Sequence, residues 1–250
     1  MSHRYYGGFA PHEPVAVKKE KAKKKIAQLR KRNKNIDPVE IAGRTIAKNW
    51  WGKAWNHNLE VYADFKNRLS RGRSYVSHGC VIDLQISQGM IRAMVMGSGS
   101  SVYKCQIKID PVAKKKWENI KELAAGQISS AKELLAGKFP KEIASILTSK
   151  DEALFPAPKD FHPQCDCPDG AHFCKHLAAV IYGVGNRLDA APELLFTLRG
   201  IDAKELIAEV ITDHKDNLLE KAAKVKSKRR MKLNDNKLSK MFGIEFTMPE

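Results

Sequence analysis

Residues Phe161 to Leu188 run F-H-P-Q-C-D-C-P-D-G-A-H-F-C-K-H-L-A-A-V-I-Y-G-V-G-N-R-L. Three of the five cysteines, Cys165, Cys167 and Cys174, fall within ten positions of one another, and His176 follows two residues later. Three thiolates and an imidazole make four donors, the number a closed tetrahedral zinc site takes. Side chains at i and i+2 of an extended strand point the same way, so Cys165 and Cys167 are expected to grip one ion together. Pro168-Asp169-Gly170 supplies a turn. From Leu177 the apolar residues Val180, Ile181, Val184 and Leu188 recur at helical spacing. Residues two apart on a helix diverge by about 200°, so Cys174 belongs just before the helix and His176 in its first turn. The helix's positive end and Lys175 then lie beside a site of net charge about −1, which favours thiolates.

Other readings of these cysteines fit less well. The segment is polar and turn-rich, unlike the setting of a buried apolar cysteine. A disulfide between i and i+2 is strained and leaves a third thiol over. Redox chemistry favours Cys-x-x-Cys. His172, also two positions from Cys174, is an alternative fourth ligand to His176.

The pattern Cys-x-Cys…Cys-x-His on a strand-turn-helix unit resembles the SWIM zinc finger, whose ligands map onto Cys165, Cys167, Cys174 and His176. Gly43 to Trp55 (G-R-T-I-A-K-N-W-W-G-K-A-W) and Leu194 to Asp202 (L-L-F-T-L-R-G-I-D) are similar to bacterial stand-alone SWIM proteins. The resemblance implies one structural zinc, a role in DNA or protein binding, and a Swi/Snf-type ATPase as partner.

A net charge of +16 is distributed unevenly over the 250 residues. Residues 1–34 hold 11 basic against 2 acidic side chains, and residues 221–240 hold 9 against 1. Between them, 35–220 is almost neutral, with 24 basic and 23 acidic. Such flanks are an electrostatic footprint for phosphates, and Lys23, Lys24, Lys25, Arg30, Lys31, Arg32, Lys228, Arg229 and Arg230 are the expected contacts. Cysteines gathered in one motif imply a reducing compartment. Nothing resembles a signal peptide or a membrane span. A cytoplasmic or nucleoid-associated protein is expected.

The remaining elements follow from periodicity. Val15 to Arg32 is rich in helix formers but has only Ile26 and Leu29 as an apolar edge. Val39 to Ile41 reads as a short strand. A helix from Thr45 places Trp51, Trp55, Leu59 and Tyr62 on one face; Trp50, Trp51 and Trp55 offer either base stacking or core anchoring, and the stripe favours the core. Three alternating segments, centred on Ile82-Leu84-Ile86, Ile91-Ala93-Val95 and Tyr103-Cys105-Ile107-Ile109, predict an antiparallel meander. The Gly97 to Ser101 loop lacks a phosphate-binding signature and reads as a hairpin connection.

Beyond Asp110-Pro111, Trp117, Ile120 and Leu123 mark another helix, with shorter ones around 130–136 and 141–148. Leu154 to Gln164 leads into the finger as an extended segment. After it come a short helix, Pro192 to Leu198, ended at Gly200, and a helix to about Lys224 whose Asp202 and Glu205 have capping-box spacing. The fold class is therefore α+β. Five regions are expected: a basic arm (1–36), an α+β domain (37–150), the finger (151–190), C-terminal helices (191–225) and a basic tail (226–250).

The leading expectation is a non-enzymatic zinc-finger accessory protein binding nucleic acid, DNA favoured, with a protein-interaction adaptor as the alternative. Four protein ligands leave zinc no open position for chemistry. No carboxylate cluster, nucleophile motif or Walker sequence stands elsewhere, and Asp64, Asp83 and His57 read as ordinary surface or packing residues.

Overall fold

Strand alternation places one face of each strand against the core, and pairing then decides which residues share a row. The computed structural model describes residues 14–60, 66–97, 101–125, 147, 154–169 and 171–202, with 204, 205, 208, 212 and 215. Strands β1 (Val81–Ser87), β2 (Met90–Met96) and β3 (Val102–Ile109) form the expected meander. A fourth strand, β4 (Phe161–Cys165), joins antiparallel to β3, giving the order β1-β2-β3-β4. The finger's own strand thus extends the expected three-strand meander into a four-strand sheet. The expected boundary between 37–150 and 151–190 therefore runs through one hydrogen-bonded sheet. Proline is tolerated in β4 because this is an edge strand, and Pro163 sits opposite Ile107.

Register builds the core face. Leu84 pairs with Ala93, Ala93 with Cys105, and Cys105 with Cys165, so these four form one row across the sheet. Ile86, Ile91, Ile107 and Pro163 form the next. Gln106, Lys104 and Lys108 alternate onto the solvent side and are exposed.

The finger helix covers the core face. This helix, Lys175–Ala190, is the fifth of six named α-helices, after α1 (Val15–Arg30), α2 (Trp50–Glu60), α3 (Lys66–Ser77) and α4 (Lys114–Ala125), and before α6 (Glu193–Leu198). As α5 it touches all four strands and carries α2 and α3 against its own sides. Small residues permit that crowding. A Cβ at Gly72 of α3 would fall 2.4 Å from the Ala178 Cβ, and one at Gly52 of α2 would fall 2.2 Å from the Gly185 carbonyl oxygen. Trp55, fully buried, donates its indole N–H to the Ile181 carbonyl at 2.9 Å. Asp189, near the end of α5, caps the start of α2 by accepting from the Lys48 and Asn49 backbone N–H groups.

Several expectations need amending. Thr45 lies before α2, which starts at Trp50. Trp51 and Trp55 are core residues, and Trp50 stacks on Trp51 at 4.0 Å between ring centroids. Arg71, Gly72 and Arg73 belong to α3, a helix that periodicity did not mark. Val39 to Ile41 is not a strand, although Val39 N–H bonds the Val81 carbonyl and Leu84 N–H the Asp37 carbonyl. In α4 the buried residues are Trp117, Ile120 and Ala124, whereas Leu123 is 50% exposed. Pro158–Asp160 forms a 3-10 turn in the segment read as extended.

Ile201 follows Gly200, whose φ of 71° ends the α6 region. Asp202 caps the next helical turn, accepting from Lys204 N–H at 2.9 Å. Glu205, however, takes the Trp117 indole N–H at 2.8 Å rather than completing a capping box. The helices expected around 130–136 and 141–148 lie outside the described residues, apart from Leu147, which is buried. Leu59's side chain and residue Tyr62 are also outside them, as is Asp64.

The basic N-terminal segment is a docked helix. Ala22 of α1 is buried, Ile26 and Leu29 pack against the core, and α1 contacts β1. That edge of the sheet is the one farthest from β4.

Candidate metal centre

β4 ends at Cys165, and the next two residues form a knuckle beyond it. The expectation that Cys165 and Cys167 share an extended strand is therefore amended: Cys167 lies in a bend. The knuckle is pinned at Asp166, whose carboxylate accepts from Lys104 N–H at 2.8 Å while its own N–H bonds the Lys104 carbonyl at 3.3 Å. Arg68 of α3 clamps the turn by donating to both carboxylate oxygens of Asp169, at 2.9 and 3.3 Å. Cys174 is the residue immediately before α5, with extended backbone at φ −82° and ψ 171°, and His176 lies in the first turn. That is the division which helical geometry required.

These elements bring Cys165, Cys167, Cys174 and His176 together, with one ligand atom from each lying within 4.8 Å of the others. His176 Nδ1 is 3.9 Å from the Cys165 sulfur and 3.8 Å from that of Cys174. Zinc–sulfur and zinc–nitrogen lengths of ~2.3 and ~2.0 Å imply tetrahedral edges of about 3.5–3.8 Å. The donor set therefore fits a single metal ion with little movement. His172, the alternative ligand, is exposed and does not join the cluster.

The surroundings tune the donors. Cys174 and His176 are buried, whereas Cys165 and Cys167 are half-buried. The His176 ring stands between Tyr103 and Tyr75, at 4.6 and 5.5 Å between centroids. Its Nε2 is buried with no hydrogen-bond partner among the described residues, so aromatic packing orients the ring. The protein's own groups favour thiols. Contact with Cys105 pushes the Cys165 thiol up to about 12, with burial adding to it and Cys174 opposing it. Cys174 is pushed up to about 11, first by Cys165 and then by burial, and Cys167 is raised mainly by burial. A bound cation reverses this preference, displacing protons as it stabilises thiolates.

Three neighbours were not recognised as site residues from sequence. Cys105 lies with its sulfur 3.6 Å from that of Cys165, and Arg68 and Tyr75 come from the unforeseen α3. The strand alternation exposed Cys105 as core-facing, but only the pairing of β3 with β4 shows which thiol it meets.

Among the described residues, the expected nucleic-acid contacts are separate from this centre. Lys23, Lys24, Lys25 and Arg30 lie on α1, followed by Lys31 and Arg32. Lys24 pairs with Glu20 at 3.9 Å, and Arg30 reaches the Ile36 carbonyl at 3.5 Å. Lys228, Arg229 and Arg230 lie outside the described residues. No helix among the described residues is long and apolar enough to cross a membrane.

No family model matches the chain, and no solved structure matches it either. It is similar to the uncharacterized protein Rv2102 of Mycobacterium tuberculosis (strain ATCC 25618 / H37Rv), with 34% identity over 172 residues. The matched segment covers 68% of this chain and 62% of that relative, less than two thirds of its length.

Proposed function

We propose that this chain is a zinc-binding accessory protein of the SWIM-finger kind, without catalytic activity of its own. Its expected partners are nucleic acid, with DNA favoured, and a Swi/Snf-type ATPase. The observation that carries the metal reading is the convergence of Cys165, Cys167, Cys174 and His176 within 4.8 Å. Three thiolates with one imidazole favour zinc over harder cations, and four protein donors fill a tetrahedral shell. A filled shell supports a structural rather than catalytic ion.

The nucleic-acid reading is supported by the concentration of charge on α1. Exposed Lys19, Lys23 and Lys24 ride on a helix held to the body by Ala22. A cationic surface of this kind contacts phosphates and carries little base information. The ATPase partner rests on the resemblance alone.

Metal analysis of freshly purified, reduced protein is expected to find one zinc per chain, with retention weakened in Cys174→Ser and His176→Ala. Absence of metal in the wild type would end the finger reading. For nucleic acid, duplex binding is measured across a salt series. Lys19→Glu/Lys23→Glu/Lys24→Glu is expected to weaken binding and flatten a salt slope that gains about −0.9 per phosphate contact. No duplex binding even at low salt would leave the adaptor role as the reading.

A further inference from the structure

Among the described residues, Cys105 is a buried thiol that the proposed metal site does not use, yet it lies against one of that site's ligands. Its position follows from register. Asp110 N–H bonds the Asp160 carbonyl and Asp166 N–H bonds the Lys104 carbonyl, which defines the hydrogen-bonded positions of the β3–β4 ladder. Cys105 and Cys165 are direct partners one step out of that phase, as are Ile107 and Pro163, whose nitrogen carries no hydrogen. They are therefore a non-hydrogen-bonded pair, where Cα atoms approach to about 4.5 Å and side chains lie closest. That spacing falls within the range of about 4.4–6.8 Å that a disulfide spans. The sulfurs are 3.6 Å apart, so bond formation needs only a small rotation of the two side chains.

The two thiols differ in access. Cys105 is 1% exposed, whereas Cys165, at the end of the edge strand, is half-buried. A small oxidant can reach Cys165, and Cys105 waits behind it.

We propose that Cys105 and Cys165 are a peroxide-modified pair whose disulfide withdraws Cys165 from the metal centre. The Cys165 sulfur attacks hydrogen peroxide, breaking the O–O bond to give a sulfenic acid and water. The Cys105 sulfur then attacks the Cys165 sulfur, displacing the hydroxyl, which leaves as a second water with the Cys105 proton. Two thiols are oxidised and one peroxide is reduced. Loss of one donor leaves Cys167, Cys174 and His176, which weakens retention of the ion. The metal-release half rests on the zinc reading above; the disulfide half does not.

The test treats full-length, reduced protein with stoichiometric hydrogen peroxide, maps disulfides by peptide mass spectrometry and follows zinc with a chromogenic chelator. The expected product is a Cys105–Cys165 cross-link forming in step with zinc release, both reversed by dithiothreitol with added zinc. Cys105→Ala, with Cys105→Ser as a second variant, is expected to lose the cross-link and slow release by about tenfold, because a sulfenic acid without a resolving thiol proceeds to slower over-oxidation. A disulfide among Cys165, Cys167 and Cys174 with Cys105 free overturns the pairing. So does absence of the cross-link at complete peroxide consumption. Unchanged release in both Cys105 variants overturns the link to the metal. A cross-link in protein that carries no zinc retains the disulfide and removes the zinc reading instead.

Discussion

α1 and α5 are both sixteen residues long, yet they use the helix in opposite ways. α5 buries eleven residues, with Ala178, Ala179, Gly183 and Gly185 narrowing it enough to lie between α2, α3 and the sheet. α1 buries Ala22 alone and exposes Lys19, Lys23 and Lys24. A helix hydrophobic on nearly every side belongs in a core, whereas one with a thin apolar edge depends on docking. The basic helix and the candidate metal cluster also occupy different ends of the sheet: α1 contacts β1, and Cys165 of the cluster ends β4. With strands about 4.8 Å apart, three steps separate these edges by roughly 14 Å. The structure thus divides charge from metal, and changes at one end should be separable from changes at the other.

The metal end should respond most. Because β4 is part of the sheet and α5 its cover, chelation is expected to reduce hydrogen-exchange protection in α5 and β3–β4 together. Loss of one ligand in Cys174→Ser is expected to remove at least about 3 kcal/mol, given the folding energy that structural zinc supplies. Retention should also fall as pH drops. With the Cys165 and Cys174 thiols at about 12 and about 11, protons compete with the ion, so metal affinity rises with pH. Protection lost from α5 alone would show that the finger opens independently of the sheet.

Next in size is the anchor between α2 and α5. Trp55→Ala removes a fully buried side chain and its hydrogen bond to Ile181, at an expected cost of about 3–5 kcal/mol in denaturant unfolding. The charge of α1 should leave that value untouched.

A smaller effect is expected from Gly72→Ala. The added carbon would lie 2.4 Å from the Ala178 Cβ, so α3 must shift away from α5, costing about 1–3 kcal/mol. Since α3 carries Arg68 to the knuckle, faster metal exchange should accompany the loss. Unchanged stability and exchange would mean that α3 does not brace the centre.

At the other end, Lys19→Glu/Lys23→Glu/Lys24→Glu is expected to change stability by no more than about 0.5 kcal/mol per site, because these side chains are exposed. Its measurable consequence should be the salt dependence of binding. A large drop in melting temperature would indicate that the lysines make contacts with the body.

The smallest effect concerns Asp110, whose carboxylate accepts from His162 Nε2 through a 2.9 Å contact at the β3–β4 end. That hydrogen bond holds the Asp110 carboxyl below its usual range. Its contribution is present above the ordinary carboxylate pKa and disappears as pH falls through the lowered folded value. Acid titration should find wild type slightly more stable than Asp110→Asn at about pH 5–6, with the difference vanishing as the pH falls through the lowered carboxyl value.

Local chemistry made much of this protein legible. The Cys-x-Cys…Cys-x-His spacing identified the four donors, and the divergence of neighbours on a helix correctly placed Cys174 before α5. Alternation marked β1 to β3, and the tryptophan stripe marked the core side of α2. These signals survive in sequence because each depends on residues only a few positions apart. The pairing of β4 with β3 was concealed, because Pro163 argues against a place in a ladder unless the strand is known to be an edge. α3 was concealed by its sparse apolar residues and Gly72, whose value lies in the close approach to Ala178. Likewise, the lysine-rich composition of α1 disclosed its charge but not the edge on which it docks. The meeting of Cys105 with Cys165, sixty positions apart, depends on strand register, which periodicity alone does not contain. Sequence determined which side chains can bind a metal or attract phosphates; tertiary pairing decided that one of the four candidate ligands, Cys165, shares a sheet with a further thiol and that the cluster stands apart from the basic helix.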